Sequence, residues 1–254
     1  MAELAFSPVQ TRRTFEEAVA QIAERITLGD LHPGDQLPSE RTLAQQMQIS
    51  RPTVREALKL LAEAGVLEVR PGARGGAVVL DGVVPREVVR RRSDLRVSEI
   101  GGVLEARRML EPQVALLAGR HARDADLDAM ERTIEAQRGI AAEEEFLASE
   151  DRFLALDLQF HLAIAKATGN STVVSLMRSL LRRLEIARDM ALHHPPVVEW
   201  SVGIHERTLA AIRADDPGEI EAVMDEHLSA LERTWERESG HSLDRPALST
   251  ARQR

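Results

Sequence analysis

The sequence predicts a mainly α protein with two domains, a small N-terminal domain containing a β-hairpin and a larger, all-α C-terminal bundle. Three observations support this prediction. A chain of 254 residues that is 43% hydrophobic and 29% charged fits one large or two ordinary globular domains. Two short β-prone runs lie between residues 66 and 80, and almost none follows them. From Ser98 to about Ser239 the hydrophobic residues recur at helical spacing.

The segment from Ser39 to Leu61 predicts two short helices joined by a tight turn. Ser39 and Ser50 stand where N-caps are expected, and Pro52 falls in the first turn of the second helix, where its missing N–H costs nothing. The inward stripe of that helix is Val54, Ala57, Leu58 and Leu61. Three residues near its N-terminus stay exposed, where a recognition helix meets base edges and phosphates: Arg51, Thr53 and Arg55.

A β-hairpin wing is predicted after this helical pair. Gly65 is a candidate C-cap, and the runs Val66 to Arg70 and Gly76 to Leu80 flank a glycine-rich tip that contains Arg74. Any helical pair followed by a hairpin could give this pattern, but the order of the segments favours a winged helix-turn-helix. We therefore expect a DNA-binding domain over residues 12 to 80.

Composition narrows the remaining classes of function. The chain has no cysteine, which excludes a disulfide framework and a thiolate metal site. No apolar run is long enough to span a bilayer and the N-terminus lacks a signal-peptide core, so we expect a cytoplasmic protein. The net charge of −8 does not exclude DNA binding, because residues 41 to 74 contain six basic and three acidic side chains.

Residues 81 to 97 change to a Pro-containing, Arg-rich composition and are predicted to be the linker. Its arginines, Arg90, Arg91 and Arg92, could touch DNA, although a solvated charge run is the favoured interpretation. The C-terminal domain, residues 98 to 238, is predicted to contain six helical segments: 98 to 121 (kinked or interrupted by Pro112), 125 to 140, 143 to 168, 171 to 192, 197 to 214 and 217 to 238. Residues 239 to 254 are expected to be a disordered tail.

Four polar residues fall on the helical faces that should be apolar: Asp157, His161, His205 and His227. Each histidine alone could be a hydrogen-bonded core residue. Together they need a partner, because burying an unpaired carboxylate costs several kcal/mol in practice. A divalent metal ion satisfies one carboxylate and three neutral imidazoles, and a mixed N/O set without sulfur suits zinc, with nickel or manganese as alternatives.

These residues also carry a resemblance. The segment GDLHPGDQLPSERTLAQQMQISRPTVREALKLLAEAGVLEVRPGARGGAVV resembles the winged helix-turn-helix of the GntR family of bacterial transcription regulators, over about residues 14 to 80. The resemblance implies DNA contacts at five positions: Arg41, Ser50, Arg51, Thr53 and Arg55. It also implies that a wing with Gly72, Arg74 and Gly75 enters the minor groove.

The second half resembles the FCD ligand-binding domain of the FadR subgroup, through LEARRMLEP, DLQFHLAIAKATGN, IHERTLAAIRADDP and MDEHLSAL. In the metal-containing members an Asp and three His bind the ion, and these match the four core-facing residues. The resemblance places the arginine that pairs with an effector carboxylate at Arg107 and a pocket-side asparagine at Asn170. Some FadR-type proteins bind acyl-CoA and lack the metal set, which is present here.

The predicted function is a homodimeric transcription regulator, a repressor, which binds a palindromic operator and responds to a small organic acid bound at the metal. One alternative is a regulator with a purely structural metal and an acyl-CoA-type ligand. Another is a metal-dependent hydrolase. The enzyme is disfavoured because no further Glu or His stands as an obvious general base, and because the basic wing would have no role.

Overall fold

The computed structural model of the chain describes residues 14–70, 76–85, 88, 97–142, 146–191 and 195–243. The chain divides into two compact units, Met1–Arg92 and Ser93–Arg254, and the division falls within the predicted linker. Three predicted features lie outside the described residues: the wing tip with Gly72, Arg74 and Gly75, the arginines 90 to 92, and the tail beyond residue 243.

The first unit contains three helices and a hairpin. The helices are α1 (Thr14–Thr27), α2 (Glu40–Met47) and α3 (Arg51–Glu63), and the strands are β1 (Leu67–Arg70) and β2 (Gly76–Val79). The strands are antiparallel, with Leu67 opposite Val79 and Arg70 opposite Gly76. The predicted winged helix-turn-helix is therefore confirmed.

Local signals define the turn between α2 and α3. The Ser39 hydroxyl accepts from the Thr42 amide, and the Ser50 hydroxyl accepts from the Thr53 amide, so both serines are N-caps as predicted. Gln48 ends α2 in the left-handed region with φ 54°, where its N–H closes back onto the carbonyls of Ala44 and Gln45. These bonds fix where α3 begins and hence which of its residues face outwards.

The core of this unit lies between α1, α3 and the hairpin. Val54, Ala57, Leu58 and Leu61 of α3 are all buried, as the sequence predicts. They belong to one hydrophobic cluster with residues of α1 and the strands, which include Val19, Ile22, Ile26, Leu67 and Val79. Because this stripe is turned inwards, the opposite face of α3 is left for a ligand.

The second unit contains six described helices, as predicted: α4 (Val97–His121), α5 (Asp124–Ala141), α6 (Phe146–Ala167), α7 (Ser171–Ala191), α8 (Pro195–Ala214) and α9 (Pro217–Ser239). Helix α4 runs through Pro112, so of the two predicted alternatives, a kink or an interruption, the interruption does not occur. Asn170 and Asp216 cap α7 and α9, whereas α5 begins after Arg123, whose N–H donates to Asp126. Among the described helices, none is long and apolar enough to cross a membrane.

Helix α4 is joined to α9 by a buried ion pair. Arg108 donates through Nε to Oε1 of Glu232 and through Nη2 to Oε2, both at 2.7 Å. The same guanidinium donates to Ser229 at 2.8 Å and to Asp225. The side chains of Arg108 and Glu232 are each 3% exposed. This two-pronged geometry fixes the register of α4 against α9.

Candidate nucleic-acid interface and metal centre

The residues predicted to contact DNA lie at the N-terminal ends of α2 and α3. Arg41, Ser50, Arg51 and Arg55 are exposed, and Thr53 is partly buried. The hydroxyls of Ser50 and Thr53 lie 2.7 Å apart, so capping already engages both. The two arginine side chains of α3 are 60% and 64% exposed, which leaves their guanidinium groups open to a ligand.

Glu40, the first residue of α2, faces these arginines and was not predicted from the sequence. Arg55 donates to its carboxylate from Nε (3.1 Å) and from Nη2 (2.8 Å), a two-pronged pair between α2 and α3. Nη2 of Arg51 lies 3.7 Å from Oε2 of the same carboxylate. The hydrogen bond from Arg55 lowers the pKa of Glu40 from its ordinary value, although partial burial opposes the shift.

The predicted metal ligands meet in the core of the second unit. His161 of α6, His205 of α8 and His227 of α9 are buried, and their ligand nitrogens all lie within 4.8 Å of one another. Oδ1 of Asp157 lies 3.3 Å from Nε2 of His205 and 4.0 Å from Nε2 of His161. Three helices thus bring one carboxylate and three imidazoles together.

Hydrogen bonds set the tautomer of His205. Its Nδ1 lies 2.8 Å from Oε1 of Gln137 on α5, and because an amide oxygen only accepts, Nδ1 is the donor. Nδ1 therefore carries a proton, and Nε2, on the other side of the ring, lies 3.3 Å from Oδ1 of Asp157. The His205 ring also stacks on Phe160, with centroids 4.1 Å apart, which holds its orientation. This is the arrangement by which proteins orient a metal-binding histidine.

The same tautomer follows for His161. Nη2 of Arg107, which can only donate, lies 3.3 Å from its Nε2, and Oε2 of Glu111 lies 2.9 Å from its Nδ1. Burial lowers the pKa of the imidazole, and the charge of Arg107 acts in the same direction, while Glu111 opposes the shift. A neutral ring with an Nε2 lone pair is the form that binds a metal ion.

Arg107 therefore lies beside the histidine cluster, and its pairing with an effector carboxylate stays a prediction. It is buried, and its Nε donates to Oε1 of Glu111 at 2.6 Å. Asn170 is exposed at the start of α7, where its Oδ1 accepts from the amides of Thr172 and Val173. Its contact with an effector stays a prediction.

Gln137 and Glu111 were missed, although the sequence contains signals for both. Gln137 follows Met130 and Ile134 on the core face of α5, so it is a polar residue in an apolar stripe, the same signal that identified the histidines. Glu111 stands four residues after Arg107 and shares its helical face.

This fold and these two sites define a class of protein, a DNA-binding transcription regulator with a helical second domain. Residues 14–79 match the gntR family of bacterial regulatory proteins, and residues 102–230 match the FCD domain. The chain belongs to this family of regulators and contains both domains.

Curated relatives agree with this classification. The chain is 31% identical over 239 residues to the Uxu operon transcriptional regulator of Escherichia coli strain K12, covering 89% of this chain and 88% of that one. It is 28% identical to the HTH-type transcriptional repressor NanR of the same strain, covering 87% and 82%. These relatives are transcriptional regulators, which are not enzymes.

A solved structure shares the fold. The E. coli McbR/YncC structure has a TM-score of 0.51, with 18% sequence identity, and the match covers 90% of this chain and all of that one.

Proposed function

We propose that this regulator is a homodimeric repressor whose affinity for a palindromic operator changes when a small organic acid binds at a divalent metal ion in the helical unit. One observation supports the metal-dependent switch above all. A buried carboxylate, three buried imidazoles and the guanidinium of Arg107 converge on one place in the core.

The residues present fit a metal ion. Asp157, His161, His205 and His227 would hold it through one anionic oxygen and three neutral nitrogens, a set that suits zinc, with nickel or manganese as alternatives. Gln137 accepts from Nδ1 of His205, and Arg107 donates to Nε2 of His161. Both contacts place the ring proton on Nδ1. Bound there, the ion would act as a Lewis acid that accepts a carboxylate oxygen of the effector.

Arg107 is suited to hold the acid from its other side. Glu111 occupies Nε of this guanidinium, while Nη2 donates to Nε2 of His161. When that lone pair is used for metal binding, Nη2 loses its acceptor, and the acid supplies a replacement. Metal and acid should therefore bind with positive coupling, and a typical coupling free energy between sites is about 1–3 kcal/mol.

Two symmetric copies are proposed because one recognition helix contacts too few bases to define a site in a genome. Exposed apolar side chains support a dimer surface on the second unit. Met109 of α4 is 67% exposed and Leu176 of α7 is 53% exposed, and these two helices pack against each other. The relatives include the repressor NanR, which supports repression rather than activation.

The experiment compares metal-loaded and metal-stripped protein. An operator is selected from random duplexes, native mass spectrometry counts bound metal, and fluorescence anisotropy measures operator affinity across a panel of small organic acids. The metal-loaded protein should change its affinity with one acid class, and the stripped protein, shown to be folded by circular dichroism, should not. An equal response from both forms contradicts the metal-dependent switch, and turnover of an acid or ester contradicts the assignment as a pure regulator.

A further inference from the structure

Glu40 occupies a position that is unfavourable for a protein surface meant to approach DNA. Its carboxylate lies between two arginines that are predicted to contact DNA, at the start of α2. Phosphate contact supplies most of the non-specific affinity for DNA, and a carboxylate at this surface reduces that affinity. A side chain that costs non-specific affinity needs another role.

A contribution to the stability of the fold does not explain the presence of Glu40. The Arg55 side chain is 64% exposed and that of Glu40 27%, and exposed ion pairs contribute little to stability. An acidic residue in the first turn of a helix interacts favourably with the helix dipole, but any acid in that turn would do so. Neither effect requires the two-pronged contact with Arg55.

The contact leaves one edge of Arg55 ready for DNA. A guanidinium has five N–H groups, and Glu40 accepts from Nε and from one N–H of Nη2. Both N–H groups of Nη1 and the second of Nη2 remain, which suffices for a two-pronged contact to O6 and N7 of guanine. Because the pair fixes the plane of the guanidinium, this free edge has a defined direction before DNA arrives.

We propose that Glu40 determines the specificity of DNA binding: it positions Arg55 for base reading and opposes binding of DNA that offers no matching base. This inference rests on the predicted contact of Arg55 with DNA and is independent of the metal and the effector. The depressed pKa of Glu40 is consistent with a carboxylate that stays ionised at neutral pH. Discrimination against the wrong partner by a repulsive group is a general route to specificity.

The test measures the affinity of the full chain for its selected operator and for a non-specific duplex of equal length, at several salt concentrations. Glu40→Gln keeps the shape of the side chain and removes its charge. We expect tighter non-specific binding, weaker operator binding and a specificity ratio about tenfold lower. Glu63→Gln is the matched control. Glu63 is an exposed acid of the same unit and lies at the far end of α3. Among the ion pairs described, it pairs only with Lys59. It should leave the ratio nearly unchanged.

A double variant separates positioning from simple charge. In an Arg55→Ala background, Glu40→Gln should no longer lower the specificity ratio, because the positioned group is absent. If Glu40→Gln changes both affinities by the same factor, the carboxylate acts only through its charge and the inference is overturned. If Arg55→Ala itself leaves the ratio unchanged, the predicted base contact of Arg55 fails as well. Equal thermal unfolding midpoints of the variants establish that folding is not the cause.

Discussion

Arg107 and Arg108 are adjacent in the sequence, but their guanidinium groups enter two different buried polar clusters. Arg107 contacts Glu111 and His161 beside the candidate metal centre, and Arg108 pairs with Glu232 of α9. Helix α4 is thus linked at one place to the candidate effector site and to α9, which carries His227. A shift of α4 on effector binding would therefore be transmitted to α9.

The pair between Arg108 and Glu232 should be a major determinant of stability in the second unit. Removing one partner leaves a buried charge uncompensated, so Arg108→Met should lower the free energy of unfolding by about 3–5 kcal/mol. Urea unfolding monitored by circular dichroism measures this. Arg138→Met is the matched control, because the Arg138–Glu206 pair also joins two helices but is exposed, and its loss should have a much smaller effect.

Arg108→Met could also abolish folding, and a compensated variant covers that case. Replacing both partners, as in Arg108→Met with Glu232→Leu, removes the uncompensated charge and should recover much of the lost stability. A midpoint for Arg108→Met equal to that of the wild type would contradict the role assigned to the pair.

Much of the fold follows from local patterns in the sequence. Helical spacing predicted the six helices of the second unit, and it placed Asp157 and His161 one turn apart on one face of α6. Capping chemistry predicted the start of α3 at Ser50, because the serine hydroxyl satisfies an amide that would otherwise lack a partner. These features depend on residues only a few positions apart, which is why the sequence suffices for them.

Three contacts that the sequence did not predict depend on long-range packing. Glu40 meets Arg55 across 15 positions, Gln137 meets His205 across 68, and Arg108 meets Glu232 across 124. Periodicity shows which face of a helix is buried, but it does not show which residue of another helix lies opposite. The partner in each of these contacts becomes visible only once the helices are packed.

Arg51 and Arg55 should provide most of the base-specific contact. Arg51→Ala or Arg55→Ala should weaken operator binding about tenfold or more, because a two-pronged arginine contact discriminates between bases. Arg41→Ala should weaken binding to all sequences alike, as expected for a phosphate contact. Fluorescence anisotropy at matched salt tests all three, and wild-type operator affinity for both the Arg51 and Arg55 variants would exclude α3 as the recognition helix.

Two substitutions should separate metal binding from the response to the effector. His205→Ala should lower bound metal and the thermal unfolding midpoint together, because the imidazole is one of the proposed ligands through which the ion would connect α8 to α6 and α9. Arg107→Ala should keep the metal and lose the response to the acid. Native mass spectrometry and anisotropy measure the two properties. Release of DNA by Arg107→Ala at the normal acid concentration would remove Arg107 from the effector site.

The proposed dimer should depend on α4 and α7. Light scattering coupled to size exclusion should return a dimer mass at micromolar concentration for the wild type. Met109→Glu combined with Leu176→Glu places charge on the exposed apolar positions and should shift the protein towards monomer. Asp128→Arg, an exposed charge change on α5, should stay dimeric. A monomer for the wild type, with and without DNA, would contradict the two-fold arrangement.

Gln137 provides the sharpest test of the proposed metal centre, because it contacts a proposed ligand, His205, without being one itself. Its Oε1 accepts from Nδ1 of His205, and within the described part of the chain its buried Nε2 donates to no acceptor. Gln137→Leu removes the acceptor that fixes the His205 tautomer, and loss of such a partner lowers metal affinity about 10–100-fold.

The same substitution also removes the buried Nε2 donor, whose desolvation costs free energy. This gain offsets the loss of the hydrogen bond from Nδ1 of His205, so stability should change little. Gln137→Glu keeps an acceptor at the same distance and should retain metal affinity. Competition with a zinc chelator measures affinity, and the thermal midpoint of stripped protein measures stability. Lower affinity with unchanged stability assigns Gln137 to positioning of His205. Wild-type affinity in Gln137→Leu would show that Nδ1 of His205 needs no fixed partner for Nε2 to bind the ion.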